Sequence, residues 1–342
     1  MQISVVIPCY RSENSLRELV RRLLERLPEI AENYEIILVV DNSPDATYAV
    51  AHDLETEQPG LVRAVLLRRN YGQHNALFAG LMRSRYGVTV TLDDDLQHRP
   101  EEIHKLVAPL DNPLVDLVYG VPENEEHGFF RSMASRTVKA GLAAAQVPSA
   151  KDVSAFRAFR TDLREGFAHV ADQLGNLDVL LSWTTSSIRK VEVEMDERPE
   201  GRSGYTLRSL VRHAMNMVTG YGTMPLKLVA WLGAVVSLVG FIMLFTIMIR
   251  YFFGAIEVAG FTTLASMIAL FSGAMMLSLG ILGEYLGRLH FRSMQRPTFL
   301  VRADGGENGP IAGLPGFTLP VTGSGPTPDA LAQALREQHH KP

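Results

Sequence analysis

The sequence has a single cysteine, Cys9, in 342 residues, so it cannot close an intramolecular disulfide and has no ligands for a cysteine-rich zinc module. A bridged secreted scaffold is excluded, and a reducing compartment fits. There is no excess of positive charge either. Thirty-three Lys and Arg stand against 37 Asp and Glu, a formal net charge of -4, which provides no broad field to attract nucleic acid. A basic N-terminal region followed by an apolar core is also missing: a strand-like run begins at Ile3, and no signal peptide is expected. No internal repeat is visible.

What is present suits a chain with a real core. It is 46% hydrophobic and 20% charged, and its length allows about two folded units at roughly 150 residues each. The mean hydropathy of +0.06 is high for a soluble protein, and the excess sits in two stretches. Leu228 to Ile249 carries no charge, and neither does Val258 to Gly283. At 1.5 Å per residue the first covers about 33 Å, enough to cross a hydrocarbon core of roughly 30 Å. Both read as transmembrane helices. Basic residues gather outside this pair, at Arg198, Arg202, Arg208, Arg212 and Lys227 before it and at Arg288, Arg292, Arg296 and Arg302 after it. The positive-inside rule then puts both flanks in the cytoplasm, which predicts a multi-pass protein of the plasma (inner) membrane.

Residues 1–196 alternate β-rich runs with helical spacing. Ile3–Pro8, Glu35–Val40, Val62–Leu67, Val88–Leu92 and Val115–Tyr119 read as strands, and Ser15–Arg26, Gly72–Ser84 and Glu101–Leu110 as helices. That order predicts an α/β domain with an open, mostly parallel sheet, whose ligands sit beyond the carboxyl ends of the strands. Residues 197–227 read as an interfacial segment, because apolar residues recur at helical spacing from Tyr205 to Tyr221 with Arg208 and Arg212 between them. The membrane pair occupies 228–283, and a second juxtamembrane segment 284–302. Residues 303–329 hold seven Gly and five Pro in 27, so 303–342 is expected to be a disordered tail.

Chemistry is expected where strands end. Val88–Leu92 runs straight into Asp93-Asp94-Asp95-Leu96-Gln97. Adjacent carboxylates repel unless water or a cation neutralises them, and hard oxygen donors suit Mg²⁺ or Mn²⁺ bridging to a diphosphate; a solvated turn has the same composition. On an extended chain Asp93 and Asp95 face together and Asp94 points elsewhere. Asp41 follows the second strand in the corresponding place, either to accept from a ribose or base or to shape the turn with Ser43 and Asp45. Pro8 and Tyr10 close the first strand and offer a ring wall for a base.

Taken together, Val6-Ile7-Pro8-Cys9-Tyr10, Asp41-Asn42-Ser43-Pro44-Asp45, Arg69-Asn70-Tyr71-Gly72-Gln73-His74 and Leu92-Asp93-Asp94-Asp95-Leu96-Gln97 resemble a family 2 glycosyltransferase of the GT-A fold. Arg198-Pro199-Glu200-Gly201-Arg202-Ser203-Gly204-Tyr205, two membrane helices and Gly283-Glu284-Tyr285-Leu286-Gly287-Arg288 resemble its polyprenyl-phosphate branch, which includes dolichyl-phosphate mannose synthases and bacterial undecaprenyl-phosphate sugar transferases. The resemblance covers about residues 1–301. It implies a Rossmann-like GT-A catalytic domain followed by a two-helix transmembrane hairpin. It also implies inverting, metal-dependent transfer from a nucleotide-diphosphate sugar, UDP favoured, to a polyprenyl phosphate, undecaprenyl or dolichyl, in contact with membrane lipids and compatible with a homo-oligomer.

By that resemblance Pro8, Tyr10, Asp41 and Asp93 hold the nucleotide, and Asp93, Asp95 and Gln97 serve the Mg²⁺ or Mn²⁺ and the donor diphosphate. Asp93, Asp95, Arg157 and Arg198 carry catalysis, and Arg131, Arg136, Arg157, Arg198 and Arg202 are candidates for the acceptor phosphate. The pattern departs from the family's at the nucleotide pocket. Arg11-Ser12 stands for the usual Asn-Glu, Val40 for the first acidic residue of Asp-Asp-Gly-Ser and Asn42 for its glycine. A processive polysaccharide synthase is disfavoured because neither Trp183 nor Trp231 sits in a Gln-x-x-Arg-Trp motif. The alternatives are transfer to another lipid-linked or protein acceptor, and a non-catalytic membrane module that binds nucleotide sugars.

Overall fold

In the computed structural model of the chain, residues 1–122, 153–168, 175–196, 224–253, 261–294 and 297–304 are described, apart from some side chains in its last two helices. The elements alternate as the hydrophobic pattern requires. They run β1 (Gln2–Cys9), α1 (Leu16–Ile30), β2 (Asn33–Val40), α2 (Thr47–Glu57), β3 (Val62–Leu67), α3 (Gln73–Leu81) and β4 (Val88–Thr91). Then come α4 (Ile103–Val107), β5 (Leu117–Pro122), β6 (Arg157–Arg160), α5 (Leu177–Thr184) and β7 (Ile188–Val193). Two long helices, α6 (Met224–Phe252) and α7 (Phe261–Ser293), precede β8 (Val301–Asp304).

The eight strands form one sheet in the order β7-β5-β6-β4-β1-β2-β3-β8. β1 pairs parallel to β2 and β4, β2 to β3, and β5 to β7, whereas β6 and β8 run antiparallel to their neighbours. The expected α/β open, mostly parallel sheet is therefore present. Its central strands are buried on both faces, which is why β1 and β2 read as near-continuous apolar runs rather than alternating ones. On one face α1 packs with Leu16, Leu19, Val20, Leu23 and Leu27, the three- and four-residue spacing of a helical stripe. On the other α3 lies so close that a Cβ on Gly80 would stand 2.3 Å from Val6 Cγ1. Only glycine allows that approach to β1.

Several boundaries read from sequence shift: α1 runs on from the expected Arg26 to Ile30, α3 stops at Leu81 rather than Ser84, and β2 starts at Asn33 rather than Glu35. β5 begins at Leu117 rather than Val115. The helix expected over Glu101–Leu110 is α4 between two 3₁₀ turns, Pro100–Glu102 and Ala108–Asp111, each opened by a proline near its start. At the C-terminal end, the expected tail boundary at 303 cuts through an element. Val301–Asp304 is an edge strand on β3, where Asp304 lies 2.7 Å from both Arg63 and Arg83. So short a strand at the start of a Gly/Pro-rich stretch gives no periodicity to read, and its partners belong to the opposite end of the chain.

The chain divides into two compact units, one around the sheet and closing with β8, the other holding α6 and α7. These helices overlap the two uncharged stretches and are 29 and 33 residues long. α6 takes in Lys227 and Arg250 near its ends, and α7 begins at Phe261 rather than Val258 and runs past Gly283 to Ser293, into the expected juxtamembrane segment. Large apolar side chains stand exposed along both, among them Trp231 (73%), Leu238, Phe241, Leu264 and Met276. Counted over the described residues alone, no helix is long and apolar enough to cross a membrane. The interfacial helix expected over Tyr205–Tyr221 lies outside the described residues, as does the chain beyond Asp304.

Candidate active site

Strands β1 to β4 point their carboxyl ends to one edge, and the four loops that leave them are bonded to one another. After β1, the Tyr10 N–H donates to Asp94 Oδ2 (2.9 Å), the Arg11 N–H to Ser43 Oγ (2.7 Å) and the Ser12 N–H to Thr47 Oγ1 (2.9 Å). Ser15, which opens α1, donates its hydroxyl to the Asp94 carbonyl (2.7 Å) instead of capping its own helix. After β2, Asp41 accepts from the Tyr71 and Gly72 N–H groups, both at 2.7 Å. After β3, the Gln73 amide donates to Asp93 Oδ1 (2.6 Å). Two of the side chains that sequence reading assigns to the nucleotide, Asp41 and Asp93, are thus ties between loops.

The backbone is strained at the same edge. Among the described residues, three non-glycine residues have positive φ: Arg11 (58°), Asn42 (48°) and Leu96 (63°). They follow β1, β2 and β4, and Gly72 (φ 91°) follows β3. Asparagine tolerates this region through its short polar side chain, which explains how Asn42 stands where the family pattern has glycine. For arginine and leucine the cost is roughly 1–3 kcal/mol each, and such strain gathers at binding and catalytic sites.

Within the acidic triplet the three carboxylates have different surroundings. Asp93 reaches toward α3 and Gln73, while Asp94 turns to the Tyr10 N–H, away from that partner. Burial pushes the Asp94 carboxyl up to about 6, with the Tyr10 hydrogen bond working against it. Asp95 accepts from the Gln97 N–H (3.1 Å), a two-residue turn of its own. Beneath them His98 is 8% exposed and stacked on Phe156 at 5.2 Å. Burial lowers its pKa to about 4, so the ring is neutral at neutral pH. Its Nδ1 accepts the Asp93 N–H (3.0 Å), which leaves the proton on Nε2.

Among the described residues, no three His, Cys, Asp or Glu side chains converge on one point as a metal cage would require. The donors nonetheless fit a hard divalent ion that takes one or two carboxylates and fills its remaining positions with water and substrate phosphate, as Mg²⁺ does. Asp93, Asp95 and Gln97 are partly exposed at the sheet edge, and all three are oxygen donors.

Several sequence assignments change. Arg157 is 1% exposed on β6, ion-paired to Asp178, with its Nε donating to Thr91 Oγ1 (3.0 Å). A guanidinium buried against a carboxylate braces β4 just before Asp93 and is not available to a phosphate. Asp178 also accepts from the Tyr119 hydroxyl (3.0 Å); it belongs to α5 and Arg157 to β6, so no local motif joins them. Pro8 is buried in β1 and cannot form part of an exposed wall, whereas Tyr10 is 43% exposed, with the Arg11 guanidinium 5.6 Å from its ring centre. Asp41 is buried, which raises its pKa despite two N–H donors, and both its oxygens fix the turn into α3. Arg131, Arg136, Arg198 and Arg202 lie outside the described residues. Sequence reasoning misses Gln73 and His98. Gln73 lies inside one of the family-like motifs, and His98 gives no signal beyond its nearness to the triplet.

Residues 4–172 match the model of Glycosyl transferase family 2. The chain is 32% identical over 304 residues to an undecaprenyl-phosphate 4-deoxy-4-formamido-L-arabinose transferase of Proteus mirabilis, covering 88% of this chain and 93% of that protein. To the protein of the same description from Serratia proteamaculans it is 35% identical over 310 residues, 90% and 94% of the two chains. Among solved structures, glucosyl-3-phosphoglycerate synthase from Mycobacterium tuberculosis in complex with Mn²⁺ and UDP-glucose is 17% identical with a TM-score of 0.47, over 64% of this chain and 77% of that one. With the motifs in order along the strand ends and these two relatives alike over nearly the whole length, the chain is a glycosyltransferase and belongs to glycosyl transferase family 2.

Proposed function

We propose that this protein transfers a sugar from a nucleotide-diphosphate sugar to a polyprenyl phosphate, undecaprenyl phosphate first among them, at the cytoplasmic face of the inner membrane. One observation carries the reading. The family match ends at residue 172, yet the similarity to undecaprenyl-phosphate sugar transferases extends over 88% and 90% of the chain, and so takes in α6 and α7 as well. Although over the described residues alone no helix is both long and apolar enough to cross a membrane, at 29 and 33 residues α6 and α7 measure about 43 and about 50 Å at 1.5 Å per residue, so their length does not stand against a span of roughly 30 Å. Arginines and Lys227 on both flanks favour a hairpin with the sheet domain inside.

The chemistry follows from the acceptor. A phosphate monoester has a second pKa of about 6, so its oxygen is already largely ionised near neutral pH and requires no general base. One phosphate oxygen forms a bond to the anomeric carbon from the face opposite the leaving group. The bond from that carbon to the diphosphate breaks, its electron pair leaves with the nucleoside diphosphate, and the configuration inverts. Asp95 and Asp93, with Gln97, would hold Mg²⁺ or Mn²⁺, which when bound supplies Lewis-acid stabilisation to the departing diphosphate. Asp94 accepts the Tyr10 N–H and so holds the Tyr10 loop against the triplet, and Tyr10 offers its exposed ring to the nucleotide's base, with UDP favoured as the nucleotide. Arg198 and Arg202 are assigned to the acceptor phosphate, which guanidinium groups orient by paired hydrogen bonds. Membranes containing the protein, given a panel of radiolabelled UDP-sugars and extracted with organic solvent, should yield one sugar in the lipid fraction. Label that enters only protein, or never leaves the nucleotide, would reject the acceptor assignment.

A further inference from the structure

The chain leaving β7 is fastened to the acidic loop. Met195 forms an antiparallel bridge with His98, and the Asp196 N–H donates to the Gln97 carbonyl (2.9 Å). The Glu194 N–H donates to Glu102 (3.0 Å). Side chains close the same joint. Arg99 is ion-paired with Glu194 and holds its Nε 3.5 Å from Asp196; Arg22 of α1 lies 3.3 Å from Asp196 and 2.6 Å from Glu101. Two arginines thus straddle one carboxylate from the loop side and the helix side. None of these groups is singled out by the sequence.

This joint sits at a junction in the chain. On one side is the loop Asp93–Arg99, kept in a left-handed turn at Leu96. On the other, Arg198 follows closely after Asp196, and the segment beginning there leads to α6. Attack requires the acceptor oxygen within roughly 3–3.5 Å of the anomeric carbon, and a misplacement of about 1 Å costs on the order of a hundredfold. A lipid phosphate and a nucleotide donor arrive from different surroundings, so something must fix the register between the parts that hold them. We propose that Arg99 and Asp196 are positioning residues that lock the donor's acidic loop to the acceptor-bearing chain after β7. The proposal rests on the polyprenyl-phosphate reading above and assigns it a register device.

The test compares full-length wild type with Arg99→Ala, Asp196→Ala, the double variant and Arg99→Lys in lipid nanodiscs. Titration with UDP and Mn²⁺ reads the donor side, and transfer to undecaprenyl phosphate at varied lipid concentration reads the acceptor side. UDP affinity should stay within about twofold. Transfer should fall roughly tenfold to a hundredfold, as a higher KM for the lipid or a lower kcat. The double variant should be no worse than either single one, and Arg99→Lys should recover much of the rate. Because the pair is partly exposed to solvent, melting temperatures should agree within about 4 °C. Unchanged transfer in both single variants, or UDP affinity lost in proportion to transfer, would overturn the proposal. A wild-type chain that binds UDP but gives no lipid product overturns the functional reading itself.

Discussion

Asp178→Ala should unfold the sheet domain far more readily than any change at its surface. The Arg157 guanidinium is 1% exposed and Asp178 lies beside it, 5% exposed, accepting from both Arg157 and the Tyr119 hydroxyl. Truncating Asp178 leaves a buried cation without its counter-charge, a loss of about 3–5 kcal/mol, and strands a buried hydroxyl worth about 1–3 kcal/mol when unsatisfied. The two losses overlap, because Tyr119 can turn and water can enter, so about 3–5 kcal/mol is the expectation for the whole. For a domain of this size each kcal/mol moves the midpoint by about 2–4 °C, giving a fall of roughly 6–20 °C. Replacing the pair together, Arg157→Met with Asp178→Leu, removes the buried charge as well as its partner and should recover most of that fall. Thermal unfolding in detergent, followed by tyrosine and tryptophan fluorescence, reads all three. A fall below about 2 °C for Asp178→Ala, or a double variant no more stable than the single, would refute the buried-pair reasoning.

Gly80→Ala should cost about 1–3 kcal/mol through overpacking, since its Cβ would stand 2.3 Å from Val6 Cγ1, and a chemical-denaturation midpoint close to wild type would argue against that contact. At the β8 edge, burial works to raise the Asp304 pKa, but Arg83 and Arg63 outweigh it and hold the carboxylate below its ordinary value. A depressed folded-state pKa gives stability that is present above about 3.9 and lost as pH falls through the lower folded value, so the melting gap between wild type and Asp304→Asn should be constant near neutrality and close in acid. A gap that widens in acid would reverse the sign. For topology, a reporter fused before Met1 and one placed after Asp304 should both be cytoplasmic, and a tag between Tyr251 and Glu257 should be reached from outside; a C-terminal reporter found outside removes the hairpin.

The parts of the fold legible in the sequence are those whose signal is local. β3 is found at the predicted residues, and β1, β2 and β4 close to them, because a strand buried on both faces writes itself as an apolar run. β6 and β8 escape, being 4 residues each and stabilised by partners distant in sequence. At the site, position is readable and direction is not. Asp93, Asp94 and Asp95 fall at a strand's carboxyl end, as the motif requires, and Asp94 parts from Asp93 as extended geometry suggests. Beyond Asp95 the left-handed Leu96 breaks that geometry, so the tie between Gln97 and Asp196 has no sequence signature. Arg157 fits a family pattern in sequence, yet burial decides what it can reach, and one sequence does not display burial.

The most direct measurement is single-turnover transfer by the purified chain in nanodiscs carrying undecaprenyl phosphate, with Mn²⁺ and the sugar nucleotide that the donor panel selects, comparing wild type with Asp95→Ala. Wild type should move the label into lipid, and loss of the leaving-group cation should slow Asp95→Ala on the order of a hundredfold to a thousandfold, equivalent to about 3–4 kcal/mol. The opposite result is equally plain: no labelled lipid from a wild-type protein that binds the donor, or equal rates for the two chains at saturating metal.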